Sequence, residues 1–159
     1  MATSAKGTAA IAPSPIRKKI LLILLICLAT IVNGVPNPFI EVDTMNKAFE
    51  MTGFTLETPA TCKNYKKKKI NVIKDKMIEV VYLKETNTEG LVIRKSKGTY
   101  KINKDVKTVR IGNYDVVEQT KGENITLATW TDGTYSYVIN PNGTEINAEE
   151  MAKLILSIK

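Results

Sequence analysis

The apolar run Ile20–Val32 constrains this chain more than any other feature: it carries no charge and follows directly on Arg17, Lys18 and Lys19. A membrane-spanning helix needs about 20 apolar residues, so a run this short suits the centre of a secretory targeting segment. Asn33, Gly34, Pro36, Asn37 and Pro38 prevent its extension. Val32-Asn33-Gly34 offers a cleavage site, and Cys27-Leu28-Ala29 a second. If retained, the run anchors the chain with its basic end inside and the rest outside. Lipid attachment at Cys27 is disfavoured by the bulky Ile26, and a transit peptide by the long apolar run behind the Ala- and Thr-rich start. The sequence therefore predicts a signal peptide or N-terminal membrane anchor over residues 1–34. Residues 35–159 then form one extracytoplasmic domain, secreted, at the cell surface, or anchored in the cytoplasmic membrane.

This division changes the meaning of the composition. The net charge of +7 resembles that of a nucleic-acid binder. Lys6, Arg17, Lys18 and Lys19, with no acid before Gly34, account for four of those charges, which leaves the domain at +3. Lys63 to Lys76 holds seven lysines against Asp75, a local +6, so the rest of the domain is at −3. Of the two cysteines, Cys27 belongs to the apolar run, so a domain holding only Cys62 forms no intrachain disulfide. Histidine is absent, which excludes Ser-His and Cys-His nucleophile pairs and His-ligated zinc. No phosphate loop, dinucleotide fingerprint, Cys-x-x-Cys or acidic calcium loop is present. The expectation is no enzyme, no catalytic residue, no cofactor and no metal.

The pattern along the domain predicts helix, antiparallel strands, helix. Asp43 is placed to cap a first helix that carries Met45, Ala48 and Phe49 on one face and stops at Gly53, with Phe54 set to touch Phe49. Ile70–Ile73, Met77–Leu83 and Leu91–Arg94 read as strands. Val106–Ile111 turns through Gly112-Asn113 into Tyr114–Gln119, which sets Arg110 opposite Asp115 and Lys107 opposite Glu118. A second hairpin, centred on Asp132-Gly133, sets Trp130 opposite Tyr135 and Ala128 opposite Tyr137, with Thr126 and Ile139 on the same face. Asn147 and Glu150 form a capping box for a last helix with the stripe Met151, Leu154, Ile155 and Ile158. The fold class is α+β: an antiparallel β-meander flanked by an N-terminal and a C-terminal helix.

Several stretches carry a resemblance. Asn37-Pro-Phe-Ile-Glu-Val-Asp-Thr44, the helix stop at Thr52-Gly-Phe-Thr-Leu56, Val81-Tyr82, Ile93–Gly98 and above all Ala128–Tyr137 resemble a clostridial-type bacterial family of unknown function, the one numbered four-three-six-seven. The similarity runs from about Asn37 to the end and departs after Gly98, where the family carries a longer polar stretch than Thr99–Lys104. It implies a secreted or membrane-anchored protein with a curved sheet akin to lipoprotein-carrier folds. It implies no chemistry.

Two groups of residues are candidates for function. Lys63, Lys66, Lys67, Lys68 and Lys69 offer contact with an anionic polymer or with anionic lipid headgroups. The competing role is a strand edge guarded by lysines against aggregation. Only Tyr65 interleaves them, which argues against stacking on nucleic acid. Trp130, Tyr135 and Tyr137 offer an apolar ligand face, and the competing role is core under a helix. Cys62 beside Lys63 reads as a partly buried bystander, having neither a base nor a resolving cysteine, with an intermolecular disulfide as the alternative. The reading is a non-enzymatic binding or sensing module at the cell envelope, whose partner is an envelope component or another protein. The alternative, motivated by the resemblance, is a carrier or chaperone for lipids or lipoproteins.

Overall fold

The computed structural model describes residues 36–102 and 106–159, so the expected targeting segment lies outside the described residues. The chain divides between Asn37 and Pro38, and every described element belongs to the second unit. In order these are β1 (Ile40–Val42), α1 (Met45–Thr52), β2 (Lys67–Ile73), β3 (Met77–Leu83), β4 (Glu89–Lys97), β5 (Val106–Ile111), β6 (Tyr114–Lys121), β7 (Asn124–Thr131), β8 (Tyr135–Asn140) and α2 (Ala148–Leu156). Among the described residues no helix is long and apolar enough to cross a membrane.

The strands form one open antiparallel sheet in the order β1-β2-β3-β4-β8-β7-β6-β5. The single meander expected from the sequence is in fact two. The chain runs β1 to β4, leaves at Gly98, resumes as β5 at the far edge and returns strand by strand until β8 pairs with β4. That seam joins residues about 45 apart in sequence, beyond the reach of hairpin reasoning, which sees only neighbouring strands.

Local chemistry explains the helix ends. Thr44, not Asp43, caps α1, its hydroxyl accepting from the Lys47 amide at 3.2 Å. Gly53, at φ 79°, ends the helix by donating to the Phe49 carbonyl at 2.7 Å. Phe54 is core, and Phe49 is 50% exposed. In α2 the capping box forms as expected, with Glu150 N donating to Asn147 Oδ1 at 3.0 Å and Asn147 N to Glu150 Oε2 at 3.1 Å. Such a cap stabilises the helix by about 1 kcal/mol, and each buried side chain of its stripe adds about 1.5–3 kcal/mol. Met151, Leu154 and Ile155 are that stripe.

Both helices lie on one face of the sheet, α1 over β1–β3 and α2 against β5 and β7. Val72, Ile78, Val80, Leu91, Ile93, Val116 and Ile139 point to them. Between the helices the chain end pairs with the loop after α1, through Glu57 N to Lys159 O at 2.9 Å and Lys159 N to Glu57 O at 3.2 Å. That bridge sets Leu56 and Ile158 into the same core. On the opposite face Val81, Val92 and Val138 are also buried, beside Glu79, which accepts from Arg94 Nε at 2.6 Å and Asn71 Nδ2 at 2.8 Å.

Two local expectations are corrected in the hairpins. The first keeps its register, with Arg110 opposite Asp115 at 2.8 Å and Lys107 opposite Glu118 at 3.3 Å. In the second, Trp130 pairs with Tyr137 and Ala128 with Ile139, so the turn centres on Gly133-Thr134 instead of Asp132-Gly133. The Asp132 carboxylate accepts from the amides of Thr134 and Tyr135, both at 2.8 Å, and holds this turn in place of an Asp-Gly pair. A bulge between Gln119 and Thr120 then shifts β7 by one residue, so Ile125 enters the core and Thr126 is exposed.

Candidate binding site

Strand β1 covers only Ile70–Val72 of β2, so the stretch Lys67–Lys69 continues beyond it as an open edge. Alternation along the strand sends Lys68 to the helix side with Ile70 and Val72, and Lys69 to the other. The five lysines therefore do not form one patch. Lys63 is drawn into an ion pair with Glu150 at the start of α2. Lys69 pairs with Glu89 at 2.9 Å, a contact that raises the pKa of its ammonium. The side chain of Lys67 lies outside the described set, and Lys66 is exposed at the rim of a cleft of about 240 Å³ with Asn64, Leu83, Lys84 and Glu85.

Lys68 differs from these. Its Nζ donates to Thr58 Oγ1 at 3.4 Å and Pro59 O at 3.3 Å and lies 5.9 Å from the Tyr82 ring centroid. Among the described residues no carboxylate pairs with it. The Tyr82 hydroxyl donates to the same Pro59 carbonyl, and burial raises the pKa of that phenol. This pinned loop, β2, β3 and α1 enclose a groove of about 430 Å³. Met45, Leu56, Ile70 and Val80 supply apolar walls, and Glu57, Thr58 and Lys68 a polar lip. The groove is not legible in the sequence, because it depends on where α1 settles on the sheet.

The aromatic group is organised around a residue that sequence reasoning missed. Trp130 and Tyr137, each 5% exposed, stack with centroids 5.1 Å apart. Tyr114 lies 6.2 Å from Trp130, and half-buried Tyr135 lies 4.8 Å from Phe54. Lys95 Nζ sits 4.8 Å from the Tyr135 centroid, 5.3 Å from that of Tyr137 and 6.0 Å from that of Phe54. A cation of the chain itself thus occupies the place where a ligand would stack. Burial lowers the Lys95 pKa, opposed by the charges of Asp132 and Glu57. The available signal was parity, since Lys95 follows Leu91 and Ile93 on the core face of β4.

Cys62 is buried and pairs with Tyr65 across a tight turn in which Lys63 has a φ of 51°. Burial raises the thiol pKa against the opposing charge of Lys63, so the thiol is not activated. It borders a cleft of about 230 Å³ with Ile146, Leu154 and the Lys63–Glu150 pair. Among the described residues no three His, Cys, Asp or Glu side chains gather as metal ligands do. No protein-family model, curated protein or solved structure matches the chain.

Proposed function

We propose that the chain is an exported, non-enzymatic binding module of the cell envelope that takes an anionic component at the open end of β2. Lys68 carries this reading: it is a cation with only neutral partners at the lip of a preformed groove. A basic group at a concave, partly apolar site suits an anionic group more than bulk solvent. The basic stretch and apolar run at the N-terminus support export, and the resemblance to the secreted bacterial family supports the same compartment.

The apolar walls Met45, Leu56, Ile70 and Val80 favour a second reading, a carrier that seats an acyl chain in this groove. Trp130 and Tyr137 contribute nothing to that reading, being inside the core. Titration with a poly(glycerol phosphate) chain and, separately, with a lysophospholipid distinguishes the two. A binding module takes the polymer and loses it at least fivefold in K66Q/K68Q. Polymer binding unchanged in that variant overturns the first reading. Saturable one-to-one binding of the lysophospholipid, weakened by a polar substitution at Leu56, establishes the carrier.

A further inference from the structure

The two edges of the sheet differ. One is the three-residue β1, beside which β2 runs on as Lys67–Lys69, a short strand and a lysine-rich stretch of the kind that keeps sheet edges from pairing. The other is β5, six residues that pair with β6 without a bulge and have no strand beyond them. No proline interrupts it, and its two cations are matched by carboxylates of β6, Lys107 by Glu118 at 3.3 Å and Arg110 by Asp115 at 2.8 Å. The charges of this hairpin edge therefore cancel. Lys107, Thr108 and Arg110 are exposed, as is Val106 at 42%. Helix α2 packs on β5 from the face that carries Val109 and Ile111, and its Leu156, 57% exposed, stands over Gly112 where the strand ends. The edge has none of the guards that the opposite edge has.

The register on β6 decides which main-chain groups face outward. Ile111 and Tyr114 flank the two-residue turn Gly112-Asn113 as a hydrogen-bonded pair, and Val109–Val116 and Lys107–Glu118 follow at every second position. The amides and carbonyls of Val106, Thr108 and Arg110 therefore point away from β6. A second copy of the strand fits them. A two-fold axis through Thr108, normal to the sheet, sets Thr108 opposite Thr108, Val106 opposite Arg110 and Lys107 opposite Val109. The outward groups then meet each other, each opposed pair at Val106, Thr108 and Arg110 exchanging both of its N–H···O bonds. Facing threonines are a favourable pair, no like charges stand directly opposite, and the arginine stem covers the exposed Val106. We infer that β5 is a dimerisation edge, at which two copies of this chain join their sheets antiparallel about Thr108. The interface is small, so the dimer forms and parts with concentration. The inference is independent of what the groove at Lys68 binds.

The test follows the full chain in neutral detergent from dilute to concentrated solution, with sedimentation giving the protein mass and amide hydrogen exchange giving the contact. The expected result is a mass that doubles while the amides of Val106, Thr108 and Arg110 slow several-fold. Two substitutions probe the axis without removing a bond to β6. Thr108→Pro deletes the central outward amide, and Thr108→Lys sets two cations against each other. Both are expected to leave the far-ultraviolet circular dichroism unchanged and to keep the chain monomeric at the concentration where the original dimerises. A chain that stays monomeric when concentrated overturns the inference. So does a dimer in which those three amides exchange as they do in the monomer, or one that persists in both variants, because its contact then lies elsewhere.

Discussion

Trp130 and Tyr137 face each other across β7 and β8 with their ring planes 5° apart, and the Tyr137 hydroxyl donates to Asp132 at 2.8 Å. One pair thus joins the core stack to the carboxylate that shapes the β7–β8 turn. Trp130→Ala empties a large buried volume and is expected to cost about 3–5 kcal/mol, a large share of the stability of a domain this size. Tyr137→Phe keeps the stack and removes one hydrogen bond to a charged group, for about 1–3 kcal/mol. Urea melts followed by far-ultraviolet circular dichroism check both. Equal losses in the two variants would contradict a packing role for Trp130.

Lys95 and Tyr137 make stability depend on alkaline pH in opposite senses. Burial lowers the Lys95 pKa, so the folded state releases this proton before the unfolded chain does. Its contribution is least below the folded pKa and grows as pH rises toward about 10.4, the unfolded value. Burial, with the bond to Asp132 and that group's charge, holds the Tyr137 hydroxyl well above its ordinary range. Its contribution is complete below about pH 10 and falls beyond that. Lys95→Met is expected to leave stability at pH 7 unchanged or raise it by up to about 2 kcal/mol, since a buried cation gives way to an apolar chain of similar length. The rise below pH 10 should vanish with it. Melts at pH 7, 8.5 and 10, read by the emission of the single tryptophan, provide the measurement.

Glu118 is 2% exposed, and its Oε2 has no hydrogen-bond partner, only Lys107 Nζ at 3.3 Å. The two ends of this pair should therefore respond differently. Lys107→Ala leaves a buried carboxylate uncompensated and is expected to cost about 1–3 kcal/mol. Glu118→Leu removes the buried charge and keeps most of the volume, so stability should hold or rise by about 1 kcal/mol. A double-mutant cycle by thermal denaturation isolates the coupling, and a large loss in Glu118→Leu would show that the carboxylate is needed.

What could be read without a structure was whatever a few neighbouring residues decide. The Gly53 stop, the Asn147–Glu150 box and the Lys107–Glu118 and Arg110–Asp115 pairs all depend on spacings of three to eleven residues. The three-residue β1 was missed because a strand that short carries no periodicity, and it forms by pairing with Ile70–Val72, whose partners are about 30 positions away. The turn at Gly133 was placed one residue early because an Asp-Gly pair and an Asp carboxylate over Gly-Thr look alike in sequence.

The candidate sites divide in the same way. Composition alone located the cations and removed histidine chemistry, since both depend only on which residues are present. Tertiary structure decided which cations are neutralised. Lys63 meets Glu150 from α2 and Lys69 meets Glu89 from β4, Lys95 is enclosed by rings from two other segments, and Lys68 is left with carbonyl and hydroxyl oxygens. Charge is a property of a residue, whereas its compensation depends on distances of a few ångströms between segments far apart in the chain. Only the folded sheet sets those distances.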